Sequence, residues 1–198
     1  MEAGLAGVAI TDHDTVAGIE AALEEGNRYG ILVIPGVEIS TAAGGQDIHV
    51  LGYYVDYKDP LFLERLEQLR GVRERRNEMM VQKLAELGIP ISMGDVLAKQ
   101  YGKGEANGSI GRPHIAEVLV DKGVVSSMDE AFKQYLGKRG AAYVSPPRIH
   151  PEEAVRWIHE AGGAAVLAHP GLYGDDGLVR QLVKAAGFDG IETDHADH

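Results

Sequence analysis

Cysteine is missing from all 198 residues of the chain. That excludes disulfides and thiolate metal ligands, so any cation must be held by His, Asp and Glu; a cysteine-free chain also fits a bacterial-type cytoplasm. Basic charge is scarce as well. Nineteen Lys and Arg stand against 30 Asp and Glu, a formal net charge of −11. This excludes a broad basic surface laid on duplex DNA, and leaves room for a local positive pocket or for phosphate bound through metal ions. No apolar run approaches the roughly 20 residues that a membrane span needs, and no basic segment followed by an apolar one stands at the start. Repeats and low-complexity tracts are absent. What is present, 44% hydrophobic residues, suffices for one large core or for a core with an inserted subdomain.

Short apolar runs alternate with helical patterns. "GVAIT" (7–11) predicts a strand, "TVAGIEAALEEGNRYG" (15–30) a helix, and "ILVIPGVEIS" (31–40) and "DIHVLGYYV" (47–55) two further strands. That rhythm is the signature of βαβ units around a parallel sheet. From Asp59 to about Gly88 it gives way to one long charged helix, with Leu63, Leu66, Met80, Leu84 and Leu87 on or near one face. Helical pieces follow at 93–102, 112–123 and 127–137, with the Gly-rich "GKGEANGSIG" (102–111) between the first two. The α/β rhythm resumes with a helix at 150–162, a strand and loop at 163–171, and a strand with a polar end at 188–198. The expected organisation is an α/β domain from residues 1–59 and 149–198, with an all-helical insert, 60–148, covering the active site.

Polar residues gather where these strands end. In "AITDHDTVAG" an apolar run passes at once into Asp12, His13 and Asp14, side chains costly to bury unless paired or bound. Glu38 follows "ILVIPGV", His49 lies in "DIHVL", His169 ends "AAVLA" and His195 follows "GIETD". A single His beside a strand is more often a hydrogen-bonded structural residue. Five such segments point instead to one rim, since parallel strands of a barrel converge at their C-terminal ends, and mixed imidazoles and carboxylates suit Mn²⁺, Fe²⁺ or Zn²⁺. In "GSIGRPHIAEVL", Arg112 and His114 stand at a loop-to-helix start, where a guanidinium fork, an imidazole and free backbone N–H groups could hold a phosphate. Pro113 near the first helical position also fits a plain helix start. Arg148 and Tyr143 are lesser candidates. The run "RGVRERRNE" (70–78) mixes charge signs at helical spacing and reads as a solvated face.

"ITDHDT", "IPGVEIS", "DIHVLGYYVD", "GRPHIAEVL", "AVLAHPG" and "DGIE", in this order and nearly end to end, resemble the PHP (polymerase and histidinol phosphatase) superfamily. The resemblance is to its metal-dependent phosphoesterases acting on nucleoside 3′,5′-bisphosphates and on 5′ ends of short RNA. It implies a distorted (β/α)7 TIM-like barrel with two to three divalent ions, manganese foremost, iron or zinc as alternatives. It implies a catalytic centre of His13, Glu38 and His169, with His13 on one ion, Glu38 bridging a pair, and His49 and His169 on the second ion. Asp12 is either a ligand or the residue that orients one. Arg112 and His114 would bind substrate phosphate; His195 and Arg148, read from the residues alone, are weak candidates for the site. The implied mechanism is attack by a metal-activated hydroxide on the phosphate ester of a small nucleotide or short RNA.

Family members open with a strand bearing His-x-His and close with an Asp-x-His pair. Neither stands in its family place here: the sequence runs from "MEAGLAGVAITDHD", without a His-x-His before it, to "DGIETDHADH", without an Asp-x-His after the "GIE" strand. Two other readings stand beside the nucleotide phosphoesterase: a histidinol-phosphatase-like phosphomonoesterase on the same scaffold, and a metal-depleted binding module.

Overall fold

The computed structural model describes residues 4–102 and 109–196. Residues 103–108 of the Gly-rich segment, and Asp197 and His198, lie outside the described residues. The chain divides into two compact units, Met1–Leu69 with Pro147–His198, and Arg70–Pro146.

The first unit is built on a five-stranded sheet in the order β1-β2-β3-β4-β5. The strands are β1 (Gly7–Ile10), β2 (Leu32–Ala43), β3 (Gln46–Tyr53), β4 (Ala164–Leu167) and β5 (Gly190–Ile191). The expectation of a parallel sheet is corrected here. β1–β2 and β4–β5 are parallel, but β2–β3 and β3–β4 are antiparallel. The reason is the connection between β2 and β3, which is only Gly44–Gly45, at φ 57° and 72°. Two residues with positive φ make a tight hairpin, whereas a parallel crossover needs a dozen or more.

Alternation along β2 and β3 sends the two faces to different tasks. Val37, Ile39 and Val50 join a core with Phe62, Leu66, Ala154, Trp157 and Ile158. Glu38, Ser40 and His49 point to the opposite face, since Ser40 pairs with His49 and Ile39 with Val50. Each fully buried Ile, Leu or Phe contributes about 1.5–3 kcal/mol, so this one-sided core locks the register and with it the face that carries Glu38 and His49. α1 (Ile19–Tyr29) lies so close to β2 that a Cβ at Gly26 would meet Val33 Cγ2 at 2.4 Å. Only glycine fits there.

α1 begins later than the apolar spacing predicts. Thr15 Oγ1 accepts the Ala17 N–H at 3.2 Å and Ile19 N donates to Val16 at 3.1 Å, so residues 15–18 form a turn instead. α2 (Pro60–Glu86) starts where the Asp59 carboxylate accepts the Phe62 N–H at 2.7 Å, and runs through the boundary between the units. Phe62, Leu66 and Leu69 serve the first core; Met80, Val81 and Leu84 serve the second. Leu63 and Leu87, expected on the buried face, are exposed, because positions 62, 66 and 69 hold the inward stripe at the start and Leu87 lies past the last turn.

The second unit is helical among its described residues: the rest of α2, then α3 (Met93–Gly102), α4 (Arg112–Asp121) and α5 (Met128–Ala131). The helix expected at 127–137 is this short α5 followed by a π turn over Phe132–Leu136. Back in the first unit, α6 (Pro151–Glu160) is capped by His150, buries Ala154, Val155, Trp157 and Ile158, and leads into β4. α7 (Asp176–Ala186) is capped by Asp175, whose carboxylate accepts the Leu178 N–H at 2.9 Å. β5 is much shorter than the strand expected at 188–198.

Candidate metal centre

The loop after β1 does not leave the sheet at once. Glu38 N donates to the Asp12 carbonyl at 3.1 Å and Asp14 N donates to the Glu38 carbonyl at 3.0 Å, so His13 is bridged to Glu38 as a parallel partner. Asp14 is the fastener. It is 1% exposed, has φ 55°, and its carboxylate accepts the Ser40 N–H at 2.8 Å. Asp tolerates this left-handed backbone better than most residues, and its short side chain reaches the amide two positions beyond Glu38. Of the three polar side chains that follow β1, Asp14 thus ties the loop down and His13 is delivered to Glu38.

His49 reaches the same point from β3, and His169 from the end of β4. Glu38 Oε1 lies 2.8 Å from His49 Nδ1 and 3.3 Å from His169 Nε2, while Glu38 Oε2 lies 3.5 Å from His13 Nδ1. The His49 Nδ1 and His169 Nε2 atoms are 3.1 Å apart. Ligand atoms of His13, Glu38 and His49 all fall within 4.8 Å of one another. The two carboxylate oxygens therefore face different imidazoles: one faces His49 and His169, the other His13.

This geometry can be tested against a cation. Two imidazole nitrogens facing each other make a hydrogen bond only if one of them carries a proton. Two ligands each about 2.1 Å from one ion lie about 3.0–3.4 Å apart, close to the spacing among Glu38 Oε1, His49 Nδ1 and His169 Nε2. The donor set of imidazoles and a carboxylate suits a divalent ion. Electrostatics agree. Burial opposes the charge of Glu38, but hydrogen bonds from His169 and His49 and the nearby His13 outweigh it, holding the carboxyl well below the usual carboxylate range. Burial likewise works against protonation of His169, yet its bond to Glu38 and the charge there carry its pKa upward. A site that strains to keep positive charge beside Glu38 is one that a cation would satisfy.

His169 is held in a rare backbone conformation, φ 28°, with its N–H donated to Glu192 Oε2 at 2.7 Å. Such strain persists where the surroundings over-determine it. Tyr173, from a short turn at Pro170–Tyr173, donates its hydroxyl to the Ala168 carbonyl at 2.8 Å and accepts the His49 N–H at 3.1 Å. Burial pushes the Tyr173 phenol up to about 12, so it remains a donor at neutral pH. Glu192 and Tyr173 were not singled out from the sequence, although "GIE" and "HPGLYG" place them one residue past β5 and four past His169. Among the other candidates, the Asp12 residue is exposed, and the three-donor cluster found among the described residues does not include it. The His195 ring lies 5.4 Å from that of His169, centroid to centroid. Arg148 is ion-paired to Asp47. Arg112 and His114 belong to the second unit, at the start of α4. Arg112 lies over the Phe132 ring at 6.0 Å, and His114 Nδ1 accepts the Gly111 N–H at 3.1 Å.

No family model matches the chain. It is 41% identical over 168 residues to the 5′-3′ exoribonuclease Rnm of Escherichia coli, covering 84% of this chain and 56% of that protein. It is 36% identical over 196 residues to the 3′,5′-nucleoside bisphosphate phosphatase of Chromobacterium violaceum, covering 96% of this chain and 67% of that enzyme. The chain belongs to the PHP phosphoesterases. A solved structure of a Bifidobacterium adolescentis protein, described as a metal-dependent phosphoesterase, superposes on this PHP chain with a TM-score of 0.84 at 33% identity, over 96% of the chain and 68% of that structure. The PHP chain spans little more than half the length of the exoribonuclease, 56%.

Proposed function

We propose that this PHP chain carries the metal-binding part of a divalent-metal-dependent phosphoesterase acting on small nucleotides, either a nucleoside 3′,5′-bisphosphate or the 5′ end of a short RNA. The observation that carries this reading is the division of labour on Glu38, whose Oε1 faces His49 and His169 and whose Oε2 faces His13. A carboxylate so disposed is suited to bridge two cations, with His13 on one and His49 and His169 on the other; manganese is the first choice, iron or zinc the alternatives. Asp12 serves either as a further ligand or from behind His13. A bound pair of divalent ions would supply an acidified water and neutralise charge on the phosphoryl oxygens.

The chain's own residues do the rest. Asp14 and Glu192 fix the backbone at His13 and His169, so the imidazoles are presented without reorganisation. Arg112 and His114 bind the substrate phosphate, the guanidinium as a fork and the imidazole beside it; His195 and Arg148 are weaker candidates for the site. In this reading the mixed sheet is an arc of a distorted (β/α)7 barrel, residues 1–59 and 149–198, and the helical segment 60–148 supplies substrate recognition. The names of the relatives support a nucleotide or RNA substrate. Neither the formal charge of −11 nor the described helices, none long and apolar enough to cross a membrane, favours duplex DNA or a spanning segment, and a cytoplasmic enzyme fits both.

The test, with added Mn²⁺, is release of inorganic phosphate from 3′-phosphoadenosine 5′-phosphate, of 5′-mononucleotide from a short 5′-phosphorylated RNA, and of inorganic phosphate from histidinol phosphate. Release from the first or second, lost on chelation and in Glu38→Gln, is expected. Release from histidinol phosphate alone would replace the substrate class, and full activity of Glu38→Gln would overturn the bridging role.

A further inference from the structure

Tyr173 belongs to a small core with Ala43, Ile48, Leu167 and Leu182, but its hydroxyl has a second task. His49 and Ala168 stand opposite each other just beyond the paired Val50 and Leu167. Residues facing each other at a closely spaced position of an antiparallel ladder exchange two N–H···O bonds. One is direct here: Ala168 N donates to the His49 carbonyl at 3.1 Å. The other is interrupted. His49 N donates to the Tyr173 hydroxyl at 3.1 Å, and that hydroxyl donates to the Ala168 carbonyl at 2.8 Å. A phenol oxygen thus occupies the place of a direct bond and holds β3 away from β4 on one side. The imidazoles of His49 and His169 emerge at this splay with their nitrogens 3.1 Å apart, and the Tyr173 ring lies edge-on to His169 with centroids 5.7 Å apart.

We propose that Tyr173 is a positioning residue: its hydroxyl, inserted into the β3–β4 ladder, sets the gap between His49 and His169 and thereby the affinity of the ion they share. The inference rests on the reading of His49 and His169 as ligands of one ion. Tyr173 touches neither ion nor substrate; it acts through the backbone at His49 and Ala168. Without the hydroxyl the ladder either closes by a direct bond or leaves the His49 N–H without its acceptor, and both outcomes shift one imidazole against the other.

Tyr173→Phe keeps the ring in its core and removes only the hydroxyl. Leu182→Ala, in the same core but on α7 and not itself part of the ladder, is the control for a merely structural effect. Mn²⁺ affinity is measured by calorimetry, melting temperature by circular dichroism, and His49 amide exchange by NMR on the metal-free chain. Partners that orient metal ligands typically change affinity about 10- to 100-fold, so Tyr173→Phe is expected to weaken the tighter Mn²⁺ site by about tenfold or more, with faster His49 exchange. Leu182→Ala is expected to lower the melting temperature with Mn²⁺ affinity within about twofold of wild type. Tyr173→Phe that loses thermal stability but binds Mn²⁺ like wild type would overturn the proposal. Should that variant not fold, 4-aminophenylalanine at position 173, whose amino group is both a weaker donor and a weaker acceptor than the hydroxyl, is expected to give a smaller loss of affinity in the same direction, and unchanged affinity there overturns it equally. A wild-type chain that binds no Mn²⁺ while its His49 amide is protected would instead remove the metal reading itself, and the inference with it.

Discussion

Asp14 shows how one residue converts a strand end into a site. Its carboxylate is buried and satisfied by the Ser40 N–H, and its left-handed backbone turns the chain directly after His13. Asp14→Ala leaves that buried amide unpaired and places a Cβ-only residue at φ 55°. The expected loss is about 1–3 kcal/mol for the orphaned donor, read by urea denaturation. Asp14→Asn keeps a carbonyl acceptor and a residue tolerant of this backbone, so the expected loss is clearly smaller. At this scale much was legible. His13, Glu38, His49 and His169 could be selected from the sequence because each closes or lies in an apolar run, and the structure brings all four together. Tyr173 and Glu192 were not legible, since one acts through a ladder gap and the other on a backbone amide, and neither leaves a mark on composition or spacing. In the second unit, Arg112→Ala is expected to raise KM for a nucleotide phosphate about tenfold or more with a smaller change in kcat, the loss of a charge-assisted bond to substrate.

Among the elements, the antiparallel pairing of β2 and β3 matters most, for it places Ser40 opposite His49 and so brings Glu38 and His49 to one face. The runs "ILVIPGVEIS" and "DIHVLGYYV" are apolar enough to read as parallel strands buried on both faces. The Gly44–Gly45 turn between them carried the contrary signal, because two residues cannot make a crossover. β5 is the other informative element. It has only two residues, yet Asp189 just before it binds three ways: its N–H donates to the Ala165 carbonyl at 2.8 Å, while its carboxylate accepts from Ala165 N at 2.8 Å and pairs with His159 Nε2 at 2.8 Å. The Ala165 amide first, and His159 second, lower the Asp189 pKa from its ordinary value. A depressed carboxylate adds stability above its unfolded pKa, and that increment is lost as pH falls through the folded value. Asp189→Asn is therefore expected to lower the melting temperature at pH 7 and to narrow its gap to wild type below about pH 4. Melting curves from pH 7 to pH 3 check this; a gap that widened in acid would contradict it.

For the molecule as a whole, a sheet-based unit carries the His and Glu cluster and a helical unit carries Arg112 and His114. An α/β unit interrupted by a long helical stretch was visible from the change of hydrophobic period near Asp59 and its return near His150. That period is silent on strand direction, because it reports which residues are buried and not which way a strand runs; the short link at Gly44–Gly45 alone spoke to it. Metal should stabilise the folded chain, since ligands presented together exist only when β1, β2, β3 and β4 are in register. Removing it with a chelator is expected to lower the melting temperature of wild type and to lower that of Glu38→Gln by clearly less.

In the proposed site the Glu38 carboxylate joins two ions. Electron paramagnetic resonance of the Mn²⁺-loaded chain reads this directly, because two ions sharing a bridge are spin-coupled. Wild type is expected to give a coupled spectrum that collapses to that of isolated ions in Glu38→Gln. Isolated-ion spectra in both proteins would contradict it.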